Sequence, residues 1–393
     1  MTMYLLKREN IQQRREALLD RLNRATAAGA NAGSNLLILD REGEVCYLEN
    51  GYADLARQTP IRRNSIFRCY SMTKPLTSCA AMLLIQEGKL DLYEPVSRYI
   101  SSFRRQRVLT QAGETPACRE SLVRDLLDMT AGLAYDGDDT LPQRETKAVF
   151  QEAERRFDTD HPMDTQEFAM RIGSIPLLFH PGEGWNYSVC ADVLGAVIEK
   201  AADMPFADFV QKRILGPLGM EDSGFLVPAA KRDRLVTVYQ KDEKGCLSPY
   251  TGNHLAIRND GGKNAFHSGG AGLFSTIEDY GRFARMLQSG GQGILNASTV
   301  DFMTGRRQTG RLQRSIAQIM GLQGRTYANL LRVTVDPAAA FFPTNMGEYG
   351  WDGWLSTFII NDPATGVTIL LMQNQKDGDG TLFGTVRSLI YLS

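Results

Sequence analysis

The sequence predicts an α/β fold of the α+β kind: an antiparallel sheet flanked by helices, with an inserted, mainly helical lobe. Two observations predict it. Short apolar segments with strand character lie near both ends of the chain, and the residues between them show helical periodicity. We therefore assign residues 1–95 and 265–393 to a sheet domain built from both chain ends, and residues 96–264 to the helical lobe. A cleft between them is the expected binding site.

The first 95 residues are expected to contain a helix, a hairpin and a second helix. The charged opening segment carries an apolar stripe that is typical of an amphipathic helix, formed by Ile11, Leu18, Leu19 and Leu22. Two apolar runs, 35–39 and 45–48, are separated by a polar turn and predict a hairpin. Residues 71–87 form a strongly apolar run that predicts a helix ending at Gly88.

The predicted lobe shows mostly helical patterns, joined by several loops. One segment, 135–164, is rich in charge and poor in apolar periodicity, so we interpret it as an exposed insertion or cap. The helical patterns cover residues 122–129, 148–156, 166–172 and 189–200.

The last part of the chain returns to strand character. A Gly-rich strand after residue 269 leads into a predicted helix at 277–287. Two apolar runs, 357–360 and 367–372, flank a turn at 362–366 and predict a hairpin.

Composition excludes several classes of function. The 393 residues carry a formal net charge of -1, which disfavours nucleic acid or an anionic membrane as a partner. The opening residues lack the apolar core of a secretory signal, and no apolar run is long enough to span a membrane, so a cytoplasmic location is expected. The six cysteines and four histidines lack metal-ligand spacing, so we expect reduced, mostly buried thiols, no metal and no cofactor.

One candidate catalytic pair stands at the start of the predicted apolar helix. Ser71 is the only serine in the chain with a lysine three positions later, Lys74. Residues spaced by three share a face of a helix, so the lysine amine would lie near the serine hydroxyl. A hydroxyl becomes an effective nucleophile only with an adjacent base, which a lysine with a lowered pKa can supply. The pair alone also fits a helix N-cap followed by a solvated lysine.

The surrounding sequence resembles a known family over most of the chain. The stretch FRCYSMTKPLTSCAAMLLIQEGKLDLYEPVSRYI resembles the nucleophile helix of class C β-lactamases, their penicillin-binding relatives and the family VIII carboxylesterases. Further blocks follow in the order that this family shows: SLVRDLLDMTAGL, PGEGWNYSVCADVLGAVIEKA, GGAGLFSTIEDYGRFARML and YGWDGWLSTFIINDPATGVTILLMQNQ. The resemblance implies a β-lactamase/transpeptidase-like fold and chemistry through an acyl-enzyme.

The resemblance also implies roles for individual residues. Ser71 would be the nucleophile, Lys74 its proton partner and Tyr187 the third catalytic residue. The backbone amides of Ser71 and Trp354 would form the oxyanion hole, which stabilises negative charge in the transition state. Gly353, just before Trp354, would allow the strand to approach the substrate closely.

Two blocks depart from the β-lactamase members of the family. Where those have Tyr-x-Asn, this chain has 187–189, Tyr-Ser-Val, so Val189 replaces an amide that helps to hold the substrate. A literal Tyr-x-Asn at 327–329 lacks the preceding PGxxW and is set aside. Where they have Lys-Thr-Gly, this chain has 351–353, Trp-Asp-Gly. Without that lysine a carboxylate-bearing β-lactam should bind poorly, whereas a Trp-Gly pattern is what the family VIII esterases show.

Asp352 is unusual even beside the Trp-Gly pattern of the family VIII esterases. We expect it either to point away from the cleft as a solvated edge residue or to contact a cationic group of the substrate, such as a free amine. Either way, we place Trp351, Asp352, Gly353 and Val189 at the substrate-binding side of the cleft.

The sequence therefore favours a serine carboxylesterase acting on small esters. One alternative keeps the same catalytic residues and changes the substrate to a β-lactam or a D-amino acid peptide. A second alternative is an inactive homologue that binds a ligand in the cleft. The expected partner is a small ester, amide or lactam, and the oligomeric state is left open.

Overall fold

The computed structural model describes residues 3–305, 308–378 and 380–392 of the chain. Its strands are β1 (Gly33–Leu39), β2 (Glu44–Asp54), β3 (Thr59–Pro60), β4 (Phe67–Arg68), β5 (Arg107–Thr110), β6 (Gly113–Pro116), β7 (Tyr239–Lys241), β8 (Leu247–Pro249), β9 (Phe274–Ser275), β10 (Arg325–Ala328), β11 (Leu331–Thr334), β12 (Tyr349–Asp352), β13 (Phe358–Asp362) and β14 (Val367–Gln373). Eight of them form one sheet in the order β10-β11-β12-β13-β14-β1-β2-β3.

The α-helices lie on both sides of this sheet and between its two sequence halves. They are α1 (Arg8–Gln13), α2 (Arg15–Ala27), α3 (Thr73–Gln86), α4 (Val123–Leu127), α5 (Leu141–Arg155), α6 (Thr165–Gly173), α7 (Cys190–Ala202), α8 (Phe206–Val210), α9 (Ile277–Gln288), α10 (Ala297–Gly305), α11 (Gly310–Met320) and α12 (Thr381–Tyr391).

The eight-stranded sheet takes its strands from the two ends of the chain. Strand β1 pairs with β2 on one edge and with β14 on the other, where Leu36 lies opposite Leu371. All strand pairs of this sheet are antiparallel. The predicted mixed fold with an antiparallel sheet is confirmed, and the division of the chain into two domains stays a prediction.

Both faces of the central strands are buried, each in a different core. Leu37 of β1 and Leu370 of β14 belong to the larger core, together with residues of α3, α7 and α9. Their neighbours Leu36 and Leu371 point to the opposite face and pack with residues of α1, α2 and α12. Because successive side chains of a strand alternate between faces, strands covered on both sides need the continuous apolar runs seen in the sequence.

The elements predicted for the first 95 residues are present, except that the opening amphipathic helix is divided at Arg14 into α1 and α2. Three residues of the predicted stripe, Ile11, Leu18 and Leu22, are fully buried, and the hairpin β1–β2 turns at Asp40, whose side chain accepts hydrogen bonds from the amides of Glu42 and Gly43. The predicted apolar helix begins at Thr73, two residues later than expected. The closing hairpin is also present, as β13 and β14.

The segment 135–164 is more ordered and more buried than the sequence analysis expects. It contains α5, which begins at Leu141 after an N-cap by Thr140 and not near residue 148. Phe150 and Ala153 on one face of α5 are buried, while the opposite face carries the charges. The helix is thus amphipathic, and interpreting the whole segment as exposed is wrong for its inner face.

Within the described residues, no helix is both long enough and apolar enough to cross a membrane. The cytoplasmic location stays a prediction. The thiols are free, and four of the six are buried, as expected from their scattered positions; the two exposed ones are Cys118 and Cys246.

A substitution in the central strand tests how much the sheet depends on the smaller core. Leu371→Ala should lower the free energy of unfolding by about 3 kcal/mol, because it leaves a cavity under α2 and α12 that the neighbouring side chains do not fill. Leu392→Ala, at a leucine that is 61% exposed, is the matched control and should change it by less than about 0.5 kcal/mol. Urea denaturation followed by tryptophan fluorescence measures both, and equal effects would contradict this assignment.

Candidate active site

Ser71 lies in a tight turn between β4 and α3. Residues 70–72 form one turn of 3-10 helix, which continues directly into α3. Tyr70, just before the serine, has φ of +43°, a left-handed conformation that costs energy for a bulky residue. The surrounding packing holds it there, because the Tyr70 ring is buried and stacks edge-on against Trp354 with centroids 5.0 Å apart. The turn presents Ser71, half-buried, at the start of the helix.

Lys74 lies one helical turn later and is completely buried. Its Nζ lies 3.1 Å from Ser71 Oγ, 3.0 Å from the hydroxyl of Tyr135 and 2.9 Å from the carbonyl oxygen of Gly270. A neutral amine has two hydrogens and one lone pair, so it can donate to Gly270 and Tyr135 while its lone pair faces Ser71. Burial lowers the pKa of Lys74 to about 7. The structure therefore brings the predicted pair together with the lysine poised as a base.

A buried carboxylate opposes the effect of burial on Lys74. Asp192 of α7 accepts hydrogen bonds from Ser268 Oγ and from the amide of Gly270, at 2.5 and 3.0 Å. Burial raises the pKa of Asp192 and the positive charge of Lys74 lowers it again, while the carboxylate in turn raises the pKa of Lys74. Gly270 thus lies between the two groups, with its amide bonded to Asp192 and its carbonyl to Lys74.

Tyr135 is a site residue that the sequence analysis misses. It lies between α4 and α5, in the segment interpreted as an exposed insertion, yet its hydroxyl accepts a hydrogen bond from Lys74. Burial raises its pKa well above the ordinary value, so its phenol stays protonated at neutral pH. The one sequence signal for it is its position six residues after Met129, just beyond the block SLVRDLLDMTAGL.

Tyr187 lies on the other side of Lys74. Lys74 Nζ is 4.7 Å from the centre of the Tyr187 ring, and the Tyr135 and Tyr187 ring centroids are 5.4 Å apart. The Tyr187 hydroxyl accepts a hydrogen bond of 3.1 Å from Nε1 of Trp351. Burial raises the pKa of Tyr187, whereas hydrogen bonding with Ser71 and Trp351 lowers it. The phenol is therefore protonated at rest, and Lys74 is the group able to act as the first base.

The end of β12 reaches the turn that carries Ser71. A side chain on Gly353 would place its Cβ 2.5 Å from the carbonyl oxygen of Cys69 and against Thr357 Oγ1, so only glycine allows this approach. Trp354 follows, with its ring against Tyr70 and against His254, whose centroid is 4.0 Å away. Among the described residues the backbone amides of Ser71 and Trp354 find no hydrogen-bond acceptor, which leaves both available to a substrate oxygen.

Of the substrate-side predictions, the one for Val189 needs correction, and those for Trp351 and Asp352 stay predictions. Val189 is fully buried in the larger core and cannot line the cleft. Trp351 is 2% exposed and its Nε1 donates to the Tyr187 hydroxyl, so it lies beside a predicted catalytic residue, and its contact with substrate stays a prediction. Asp352 has a partner within the chain, because its Oδ2 accepts a hydrogen bond of 2.7 Å from Arg332, while its side chain is 35% exposed, so its contact with a cationic substrate group stays a prediction. Tyr327, set aside above, packs behind Trp351 with ring centroids 4.9 Å apart.

Comparison with known proteins shows the family and the fold of the chain. The family model named Beta-lactamase matches residues 10–386. Esterase EstB from Burkholderia gladioli is 30% identical over 409 aligned positions, which cover 99% of this chain and 97% of EstB. The structure of EstCE1, described as a hydrolase with promiscuous acyltransferase activity, superimposes with a TM-score of 0.83 at 25% identity and covers 98% of this chain and 99% of EstCE1. Simvastatin synthase LovD from Aspergillus terreus shares the fold, with a TM-score of 0.80 at 22% identity over 96% of this chain and 97% of LovD.

The charge on Lys74 predicts how the reactivity of Ser71 depends on pH. Because the pKa of Lys74 is about 7, the neutral amine is lost as the pH falls through that value, and the rate of labelling by a fluorophosphonate should fall with it. Asp192→Asn removes the negative charge that favours the ammonium form, so this decline should move to lower pH. Labelling rates between pH 5 and 9 measure the shift.

The matched control is Asp203→Asn at the exposed end of the same helix. Asp203 adopts the left-handed conformation that asparagine also tolerates, so this change should leave the pH profile unaltered. A decline that stays in place, or moves to higher pH, in the Asp192 variant would exclude the carboxylate as the opposing charge.

Proposed function

The chain belongs to the Beta-lactamase family and is a serine hydrolase, and we propose that it hydrolyses small carboxylic esters through an acyl-enzyme on Ser71. The observation that carries the proposal is the position of Lys74, which is buried 3.1 Å from the serine hydroxyl and has no carboxylate within salt-bridge distance in the described part of the chain. A buried amine of this kind serves as a base near neutral pH.

In the first step Ser71 attacks the carbonyl carbon of the ester. Its hydroxyl proton passes to Nζ of Lys74, which becomes an ammonium ion, while Oγ forms the new bond. The C–O bond to the alcohol breaks, and the departing oxygen takes the proton of the Tyr187 hydroxyl. The acyl-enzyme is left with a positively charged Lys74 and a phenolate at Tyr187. The distance from Lys74 Nζ to the centre of the Tyr187 ring is 4.7 Å.

Water then completes the turnover. The Tyr187 phenolate takes one proton from the water, whose oxygen attacks the acyl carbon and releases Ser71. Lys74 returns its proton to Ser71 Oγ, so that all three side chains regain their starting forms. The amides of Ser71 and Trp354 would donate to the negative oxygen in both steps, a contribution typically worth about 3 kcal/mol per donor.

Esters are favoured over β-lactams by the residue that replaces the family lysine. Trp351 is uncharged, buried and hydrogen-bonded to Tyr187, so it offers no positive charge to a substrate carboxylate. The curated name of EstB and the description of EstCE1 point the same way. Aromatic rings of Trp354, His254 and Tyr250 lie next to the proposed oxyanion hole and suit an apolar acyl group.

The nucleophile is tested by covalent labelling. Intact-mass analysis after treatment with a fluorophosphonate should show one adduct on the wild type and none on Ser71→Ala. Ser78→Ala, a buried serine of the same helix, is the matched control and should label fully. Equal adducts on the wild type and on the Ser71 variant would place the nucleophile elsewhere, and no adduct on the wild type would favour an inactive homologue.

Substrate profiling tests the choice of ester. The kcat/KM for p-nitrophenyl butyrate should exceed that for nitrocefin by about 100-fold, because the lactam carboxylate loses a charge-assisted hydrogen bond worth roughly 1.5–3 kcal/mol. Comparable values for the two substrates would instead support the β-lactamase alternative, and preferred turnover of D-amino acid amides would support the peptidase alternative.

A further inference from the structure

An ion pair lies directly behind the hydrogen bond that holds Tyr187. Arg332 of β11 faces Gly350 of β12 in the sheet, and its Nη1 donates to Asp352 Oδ2 at 2.7 Å. Arg332 is only 5% exposed, whereas the side chain of Asp352 is 35% exposed. Neither residue belongs to the proposed catalytic set. Burying an arginine costs free energy of desolvation, which only a well-placed, hydrogen-bonded partner offsets.

Trp351 connects this pair to the catalytic residues. Its backbone lies between Gly350 and Asp352, and the Arg332 guanidinium carbon lies 5.6 Å from the centre of its indole ring. On the other side the indole N–H is bonded to the Tyr187 hydroxyl at 3.1 Å. Because an indole can only donate, the Tyr187 oxygen accepts from it and keeps its own proton for another partner.

Charged and other titratable groups from several elements surround Tyr187. It is faced by Lys74 from α3, Asp192 from α7, Tyr135 from the loop before α5 and Tyr327 from β10. The Asp352 carboxylate raises the pKa of Tyr187, as a negative charge near a phenol must.

Behind Arg332 lies a second group of buried charges. Arg325 has Arg332 and Asp352 among its charged neighbours, and Glu348 pairs with Arg387. On this side of the site Asp352 is the acid whose charge acts on Tyr187, and Arg332 is its hydrogen-bonded counter-charge.

We propose that Arg332 and Asp352 are positioning residues that hold Trp351 against Tyr187 and keep this side of the site neutral, so that Tyr187 can release its proton to the leaving alcohol. The inference rests on the proposed function. In the first step the Tyr187 proton goes to the alcohol oxygen as the C–O bond breaks, leaving a phenolate beside Trp351. An uncompensated Asp352 carboxylate would oppose that negative charge, and Arg332 cancels it.

The leaving group of the substrate reports this role. An ethoxide needs a proton to depart, whereas p-nitrophenolate leaves without one, so only the ethyl ester depends on Tyr187 as an acid. We would measure kcat/KM, which reports formation of the acyl-enzyme, for ethyl butyrate and p-nitrophenyl butyrate. The variants are Arg332→Gln, Asp352→Asn and the double variant, with Arg62→Gln as the control because Arg62 forms an ion pair with Glu49 on the distant strand β2.

Arg332→Gln should lower kcat/KM about 10-fold more for the ethyl ester than for the aryl ester, a difference that corresponds to about one pKa unit in Tyr187. Asp352→Asn should shift the ratio the other way, because the unpaired Arg332 makes Tyr187 a stronger acid. The double variant should return the ratio to within about twofold of the wild type. The control should leave both rates unchanged.

Equal losses on both esters, or a double variant whose ratio follows the Arg332 variant, would overturn the proposal in favour of a purely structural ion pair. If Arg332→Gln does not fold, the half-exposed Asp352→Asn still decides, since an unchanged ratio in that variant also overturns it. A wild type that hydrolyses neither ester refutes the proposed function, whereas with a wild type that hydrolyses both esters the variants test the role of the ion pair alone.

Discussion

The burial of one amine determines how the rest of the site is built. Lys74 has no carboxylate within salt-bridge distance among the described residues, and its hydrogen-bond partners are a serine, a tyrosine and a backbone carbonyl. An ammonium ion in such surroundings is poorly compensated, so the neutral form becomes accessible near neutral pH. Asp192 lies beyond Gly270, and its negative charge raises the pKa of Lys74 and so opposes part of the effect of burial.

Much of this arrangement could be predicted because it is local. The spacing of Ser71 and Lys74 on one helix, the hairpin β1–β2 and the apolar stripe of the first helices all follow from short-range periodicity. Tyr187 required a resemblance between long blocks, since a single tyrosine carries no periodic signal. Gly353 was predicted to allow a close approach, and the structure shows that its neighbour is the carbonyl of Cys69.

The features that escaped prediction depend on contacts between distant parts of the chain. Tyr135 lies in a segment without apolar periodicity, and only the packing of the lobe against α3 brings it to Lys74. The partner of Asp352 is an arginine on the neighbouring strand, and strand pairing of this kind is set by register and not by composition. Val189 was misplaced because its role was carried over from a family position, while α7 turns its side chain into the core.

The sheet built from both chain ends has a consequence for the timing of synthesis on the ribosome. Strand β1 emerges early, but its edge stays unpaired until β14 is made, and an unpaired apolar edge invites association with other chains. The same last stretch supplies Trp351 and Trp354, so a nascent chain that already contains Ser71 and Lys74 still lacks one of the two proposed oxyanion donors. The proposed oxyanion site can therefore form only after β12 has been synthesised, and the edge of β1 stays open to pairing with other chains until β14 follows.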